Sequence, residues 1–446
     1  MCFVHKHKVS HAARGKTSLE FLRCSRYNIF MSFNFNIVSV CFYAFWIFAI
    51  FIDGSGAKEN SFNSDFLSLR ATKSLQGLAA MGVICHHIAQ INFMQHSGEI
   101  QIFRDIGFLF VGLFFFTSGF GLIKSIDTKP NYLNGFLKRR ALPVFITYYV
   151  MNAFYIIWHL LLKTEFSTSQ WICKILGISL LNDNAWFVPV ILILYLAFYF
   201  IFKKIKNRKI CFALIFIVIA VQVGWFLFNK HFVWWIGPEN WWWNPQGHID
   251  FSNASWWQQI GELWFEGEWW VNSTICFLLG MLIAQNEKKF FEFFVKNYWM
   301  KFFALFSLVV ISMWIGLWSL YGISYWREFG GDNSTLPRAQ MFFIQSVQII
   351  LFVIFIIVFM MKFFADNKVT RFFGNYSLEI YLMQAIPLRQ GAKFFDADKM
   401  DYSLVSTKLL VLLYVVLVIA ISIIFALILK FISARIVKFL DKNKNV

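Results

Sequence analysis

Two adjacent histidines, His86 and His87, lie in a stretch that reads Lys73-Ser-Leu-Gln76-Gly77-Leu-Ala-Ala80-Met-Gly-Val-Ile-Cys85-His86-His87-Ile-Ala-Gln90. The stretch is long enough to cross a bilayer, where an ionisable group is costly and marks a functional site. Imidazole is the side chain best suited to move a proton near neutral pH, so the first chemistry to consider is membrane-embedded proton transfer. Gln76 and His87 stand eleven residues apart, about three helical turns, and therefore share a face. Lys73, Ala80 and Gln90 lie near the same stripe, whereas His86 points about a quarter turn away. His87 is the candidate general base and His86 the candidate structural histidine. The alternative is that both merely hydrogen-bond neighbouring helices.

Three further patches carry polar groups. In Phe136-Leu-Lys138-Arg139-Arg140-Ala-Leu-Pro143, two guanidinium groups sit where a loop enters the membrane. Arg139 and Arg140 would suit a phosphate-rich donor, although such clusters also serve only to fix topology. Glu379, in Gly374-Asn-Tyr376-Ser377-Leu-Glu379-Ile-Tyr381-Leu-Met-Gln384, is a carboxylate in an apolar span and calls for a histidine or arginine partner. In the run from Phe108 to Gly121, Gly112 and Gly119 share a face suited to close helix packing. Ser118 in that run could donate to a substrate oxygen, but bonding to its own helix backbone is the simpler reading.

The 230–270 segment holds ten tryptophans, among them Trp242 and Trp257, with Glu262, Glu266 and Glu268 close by in sequence. Any single one reads as a membrane-interface residue, yet ten are too many for that alone. Tryptophan faces suit sugar rings, and carboxylates suit sugar hydroxyls, so a carbohydrate surface is expected here. Neither a Gly-rich phosphate loop nor a metal-ligand pattern is present in the sequence, and no metal is expected.

The elements that must position these groups follow from composition. The chain is 59% apolar and only 15% charged, and apolar stretches of membrane-spanning length recur along it. The expected fold class is all-α: one polytopic transmembrane bundle of ten core spans near 74–93, 106–124, 142–162, 186–202, 210–229, 268–285, 299–321, 341–365, 372–388 and 405–431. The ninth is interrupted by Pro387 and is expected to be tilted or partly re-entrant. Seven cysteines show no paired spacing, so neither a disulfide framework nor a zinc site is indicated.

A net charge of +17 does not call for nucleic acid, because the cations fall in alternate short loops. Lys124, Lys138, Arg139, Arg140, Lys203, Lys204, Arg208, Lys288, Lys289, Lys368, Arg371, Lys430 and Arg435 all fall on one predicted side. The positive-inside bias places that side, and both ends of the core, in the cytoplasm. Residues 1–67 hold a basic stretch and a hydrophobic segment at 37–52 that breaks the alternation; translation from Met31 would restore it. Residues 68–434 form the core and 435–446 a basic tail.

Five segments in order resemble the bacterial membrane acyltransferase family known as acyltransferase-3. The helix ending at His87 resembles the family's Gly-Leu-Arg-Gly-x-Ala stretch with its essential histidine. Phe-Phe-Phe-Thr-Ser-Gly-Phe at 114–120 matches the second helix, and Lys138-Arg139-Arg140-x-x-Pro143 the arginine motif before the third. Asn184-Ala-Trp186-Phe-Val-Pro189 is similar to the Trp-led fourth helix, and Gly374 to Leu382 to the late Ser-Leu-Glu-x-Tyr-Leu signature. Three positions depart from the pattern. Gln76 stands where many members carry arginine, Leu137 where another arginine is usual, and Gln384 where a histidine is frequent.

The resemblance implies an O-acyltransferase that moves an acyl group, acetyl in the first instance, from acetyl-CoA to a surface glycan or lipid-linked saccharide. It implies a bacterial inner-membrane location. His87 would act as general base with Glu379 orienting or charge-balancing a basic group, and Arg139 and Arg140 would hold the donor phosphates. Gln76, Ser118, Trp186, Trp242 and Trp257 are the substrate-binding candidates. A polytopic transporter or flippase for such a saccharide is the competing reading, since it too would carry mid-membrane polar residues.

Overall fold

A computed structural model describes residues 61–91, 93–94, 100–228, 264–265, 270–323, 335–363, 365–395, 400–401 and 404–442, together with residue 44. The expectations for residues 1–60, including the start at Met31, and for Trp242 and Trp257 lie outside the described residues.

The described chain is a helical bundle. In order its helices are α1 (Leu69–Ala89), α2 (Gly107–Thr128), α3 (Leu142–Leu161), α4 (Thr168–Leu176), α5 (Phe187–Lys204), α6 (Arg208–Phe228) and α7 (Ile275–Gln285). They continue with α8 (Glu287–Val295), α9 (Tyr298–Gly322), α10 (Thr335–Lys362), α11 (Lys368–Asn375), α12 (Ser377–Met383), α13 (Ala385–Ala392) and α14 (Val405–Lys442). Seven helical stretches, centred on α2, α3, α5, α6, α9, α10 and α14, are long and apolar enough to cross a membrane. Their outward faces carry large apolar side chains such as Phe216, Trp314, Phe343 and Leu413, as lipid contact requires. The chain is an all-α polytopic membrane protein.

The other three expected spans take different forms. With 21 residues, α1 is long enough to cross, but its lysine, glutamine and histidines leave it less apolar. Most of it is buried by neighbouring helices. The segment expected at 268–285 is helical only over the 11 residues of α7. Residues 270–274 form turns instead, and polar side chains there bond across the bundle: Ser273 Oγ to Phe108 O at 3.1 Å and Asn272 Nδ2 to Gln345 Oε1 at 3.0 Å. Irregular backbone at membrane depth is tolerated where protein surrounds it.

The ninth span is three short helices, joined at Tyr376 and at Gln384, and the second junction is the interruption expected from Pro387, whose missing N–H leaves Met383 O without its α-helical donor. Pro387 is the third residue of α13, a position whose N–H has no partner within its own helix. The break therefore falls one turn before the proline. Near this junction Leu382 O accepts two side-chain donors, Tyr155 Oη and Asn182 Nδ2, each at 3.0 Å.

The basic loops do share one face. Lys124 pairs with Glu287 at 2.7 Å, Lys138 with Asp441 at 2.8 Å, and Arg208 with Asp127. Two close approaches fix the interior. A Cβ on Gly119 would lie 2.0 Å from Phe277 O, so α2 and α7 touch backbone to backbone, as the glycine spacing predicts. Gly77 and Gly374 do the same for α1 and α11: a Cβ on Gly77 would meet Thr370 O at 1.8 Å. Asp366, with its side chain fully buried, pins this second contact by accepting from Ser74 Oγ at 2.7 Å and pairing with Arg371 at 3.1 Å and with Arg70.

Candidate active site

Because α11 and α12 pack along α1 from the Gly77–Gly374 contact, polar residues on the two sides form a column that α13 continues. At the basic face, Lys73 Nζ donates to Gln76 Oε1 at 3.0 Å, and Gln76 Nε2 donates to Thr117 Oγ1 on α2 at 3.0 Å. Lys73 also lies within electrostatic range of Lys430, Glu379 and Arg140. Arg139 and Arg140 stand on a π-helical turn, Leu137–Ala141, that leads into α3. Pro143 lacks the N–H that would bond to Arg139 O in an α-helix, which favours the widened turn. Arg140 Nε donates to Tyr132 Oη at 2.9 Å, and Arg139 lies over the Tyr132 ring, 5.8 Å from its centroid. Both arginines stay exposed.

Ser118 faces Tyr195, which in turn lies near Arg140 and Tyr132. Its hydroxyl thus has a neighbour across the bundle, on α5, where the sequence reading had it bond back to its own helix backbone. Thr117 makes that backward bond, to Leu113 O at 2.9 Å.

Glu379 lies further into the column, and its side chain is 3% exposed. Its partner is Lys430 of α14, 2.7 Å away, where the sequence had suggested a histidine or an arginine. Lysine serves because its long stem lets the ammonium reach the buried carboxylate while the side chain as a whole stays 46% exposed.

His87 sits near the far end of α1, fourteen residues and about 21 Å of helix rise beyond Lys73. It is 8% exposed, and Nδ1 is buried without a hydrogen-bond partner among the described residues. Beside its ring lies the Gln384 amide, at the α12–α13 junction, and the Arg389 guanidinium of α13 is within electrostatic range. Arg389 is paired with Asp183, on the 3-10 turn Asp183–Trp186 that starts α5. That turn also places Trp186, 9% exposed, at this end of the column. His86 points elsewhere, its Nδ1 2.9 Å from Phe103 O, in keeping with a structural role.

The arrangement sorts the sequence candidates by level. Gln76, Ser118, Arg139 and Arg140 gather at the basic face, Glu379 stands between, and His87 and Trp186 gather at the far end. Glu379 and His87 do not meet: five residues, about 7.5 Å of rise, separate Glu379 from Gln384. Sequence reasoning placed Lys73 on the stripe without a role, read Lys430 only as a topology signal and Gln384 only as a departure, and missed Arg389 and Asp183. A signal for Arg389 existed, since it is a cation at the end of an apolar segment on the face otherwise poor in cations.

A buried histidine at the end of a cationic column fits group transfer from an anionic donor. A family model described as an acyltransferase domain, Acyl_transf_3, matches residues 73–429, about four-fifths of the chain. The chain belongs to the acyltransferase-3 family. It is a multi-pass membrane acyltransferase, and the matched region contains the column's residues from Lys73 through Arg389 and ends one residue before Lys430. No curated protein and no solved structure matches the chain.

Proposed function

We propose that this acyltransferase takes an acetyl group from acetyl-CoA at its basic face and delivers it to a hydroxyl of a surface or lipid-linked glycan near His87. The basic face is cytoplasmic in this reading, and the membrane is the bacterial inner membrane. Arg139 and Arg140 are exposed and held in place by Tyr132, which suits them to bind phosphate. Lys73 and Lys430 add charge deeper in, so that cations outnumber the single Glu379 carboxylate. The donor's thioester reaches along the column towards His87. Nε2 of His87 accepts the proton of the acceptor hydroxyl as its oxygen forms a bond to the acyl carbon; the carbon–sulfur bond breaks, and the proton passes to the departing thiolate. Trp186 borders the acceptor, with Trp242 and Trp257 as further sugar contacts.

What carries the reading is the position of His87: buried, with Nδ1 unpaired among the described residues, at the far end of a column that begins in exposed arginines. The test is mass analysis of cell-surface glycans from wild type, a gene deletion, and a His87→Ala strain with matched protein in the membrane. An acyl group absent from both mutants is the expected result. Retention in His87→Ala removes the catalytic assignment. Three identical glycan profiles remove the glycan acceptor and favour transport.

A further inference from the structure

The base assigned above needs its ring held in one orientation and one tautomer, and the groups around it identify the residue that does this. Gln384 Nε2 donates to Tyr381 O at 3.2 Å, which turns the amide oxygen away from that carbonyl. Gln384 Oε1 is buried with no hydrogen-bond partner among the described residues, and His87 Nδ1 is in the same condition. The two side chains face each other. A buried polar atom left unpaired is costly, so two complementary ones on adjacent side chains are strongly driven to pair. Only one protonation pattern allows it: the amide oxygen can only accept, so Nδ1 must carry the hydrogen.

We infer that Gln384 is the positioning residue for His87, its Oε1 accepting the Nδ1 hydrogen so that Nε2 presents its lone pair to the acceptor hydroxyl. This inference rests on His87 being the base. The charged and titratable groups facing the ring are His86 on its own helix and Arg389 on α13, with Asp183 meeting the Arg389 charge from the turn before α5. Tyr155 of α3 is committed to Leu382 O. A neutral amide in this setting orients the imidazole without the added stabilisation of the imidazolium that a carboxylate would give.

The experiment is nitrogen-15 NMR of histidine-labelled, detergent-solubilised protein, with the His87 signal assigned by its loss in His87→Ala. In wild type the expected spectrum is the tautomer protonated at Nδ1. Gln384→Glu, which preserves shape, should raise the His87 titration midpoint by about one pH unit or more. Gln384→Leu should release the tautomer to a mixture. Protonation at Nε2 in wild type overturns the inference, as does one unchanged midpoint and tautomer in wild type and both variants. The wild-type spectrum alone is decisive if either variant fails to fold. Unaltered glycan acylation in His87→Ala would instead overturn the catalytic reading while the Nδ1 tautomer still supported the pairing.

Discussion

Replacing Gly77 by alanine adds one methyl group at the point where α1 meets α11. Its carbon would lie 1.8 Å from Thr370 O and 2.7 Å from Thr370 C, whereas ordinary contacts begin at 3.4 Å. A gap of about 1.6 Å, the difference between those distances, has to open. The obstructing atoms are backbone, so no rotamer change relieves them. Overpacking of this kind costs about 1–3 kcal/mol. The same displacement carries Lys73 and Gln76 away from Glu379, and His87 away from Gln384, and misplacement by about 1 Å lowers rates on the order of 100-fold. Gly121→Ala is the control: nothing lies within 4 Å of its added carbon. It also gains about 0.5–1 kcal/mol of helix propensity. The assay is glycan acylation in cells at matched membrane levels, paired with thermal unfolding of the purified proteins. Gly77→Ala should lose both activity and stability while Gly121→Ala loses neither. If the two variants behave alike, the backbone contact does not hold the column together and the reasoning fails.

Two further substitutions separate the column's charges. Lys430→Met removes the ion-pair partner of the buried Glu379 carboxylate and should destabilise by about 3 kcal/mol. Glu379→Gln leaves a lysine able to reach water and should cost about 1 kcal/mol or less. Equilibrium unfolding in mild detergent decides the order, and the reverse order would refute the assignment of Glu379 as the buried member. Asp366→Asn keeps the shape but removes the charge that Arg70 and Arg371 share with Ser74. It should lower thermal stability more than Ser74→Ala, which loses one hydrogen bond worth about 1 kcal/mol; equal melting temperatures would count against Asp366 as the pin.

Sequence by itself determined the class of protein and the sides of its helices. Partition into lipid sums over neighbouring residues, so apolar length and loop charge reveal it without knowledge of contacts. Hence the long helices, the shared basic face and the inward-facing polar stripe from half-buried Gln76 to buried His87 were all legible, as was the glycine face of α2. The family's ordered segments were legible for the same reason, being local. The fate of the weaker spans was not. Pro387 marked the ninth as irregular, and one junction does fall a turn before it, at Gln384, but nothing local marked the other at Tyr376.

Partner choice belonged to the tertiary structure. Glu379 and Lys430 are 51 residues apart, and Arg389 and Asp183 are 206 apart. Hydrogen bonds and ion pairs depend on where packing brings side chains, and here that packing turns on two glycines whose approach leaves no room for a methyl group. The sequence showed that His87 was an ionisable group in an apolar helix. Only the packing of α1 against α11 and α12 set Gln384 beside it and Arg389 within electrostatic range, because neither shares with it any local pattern along the chain.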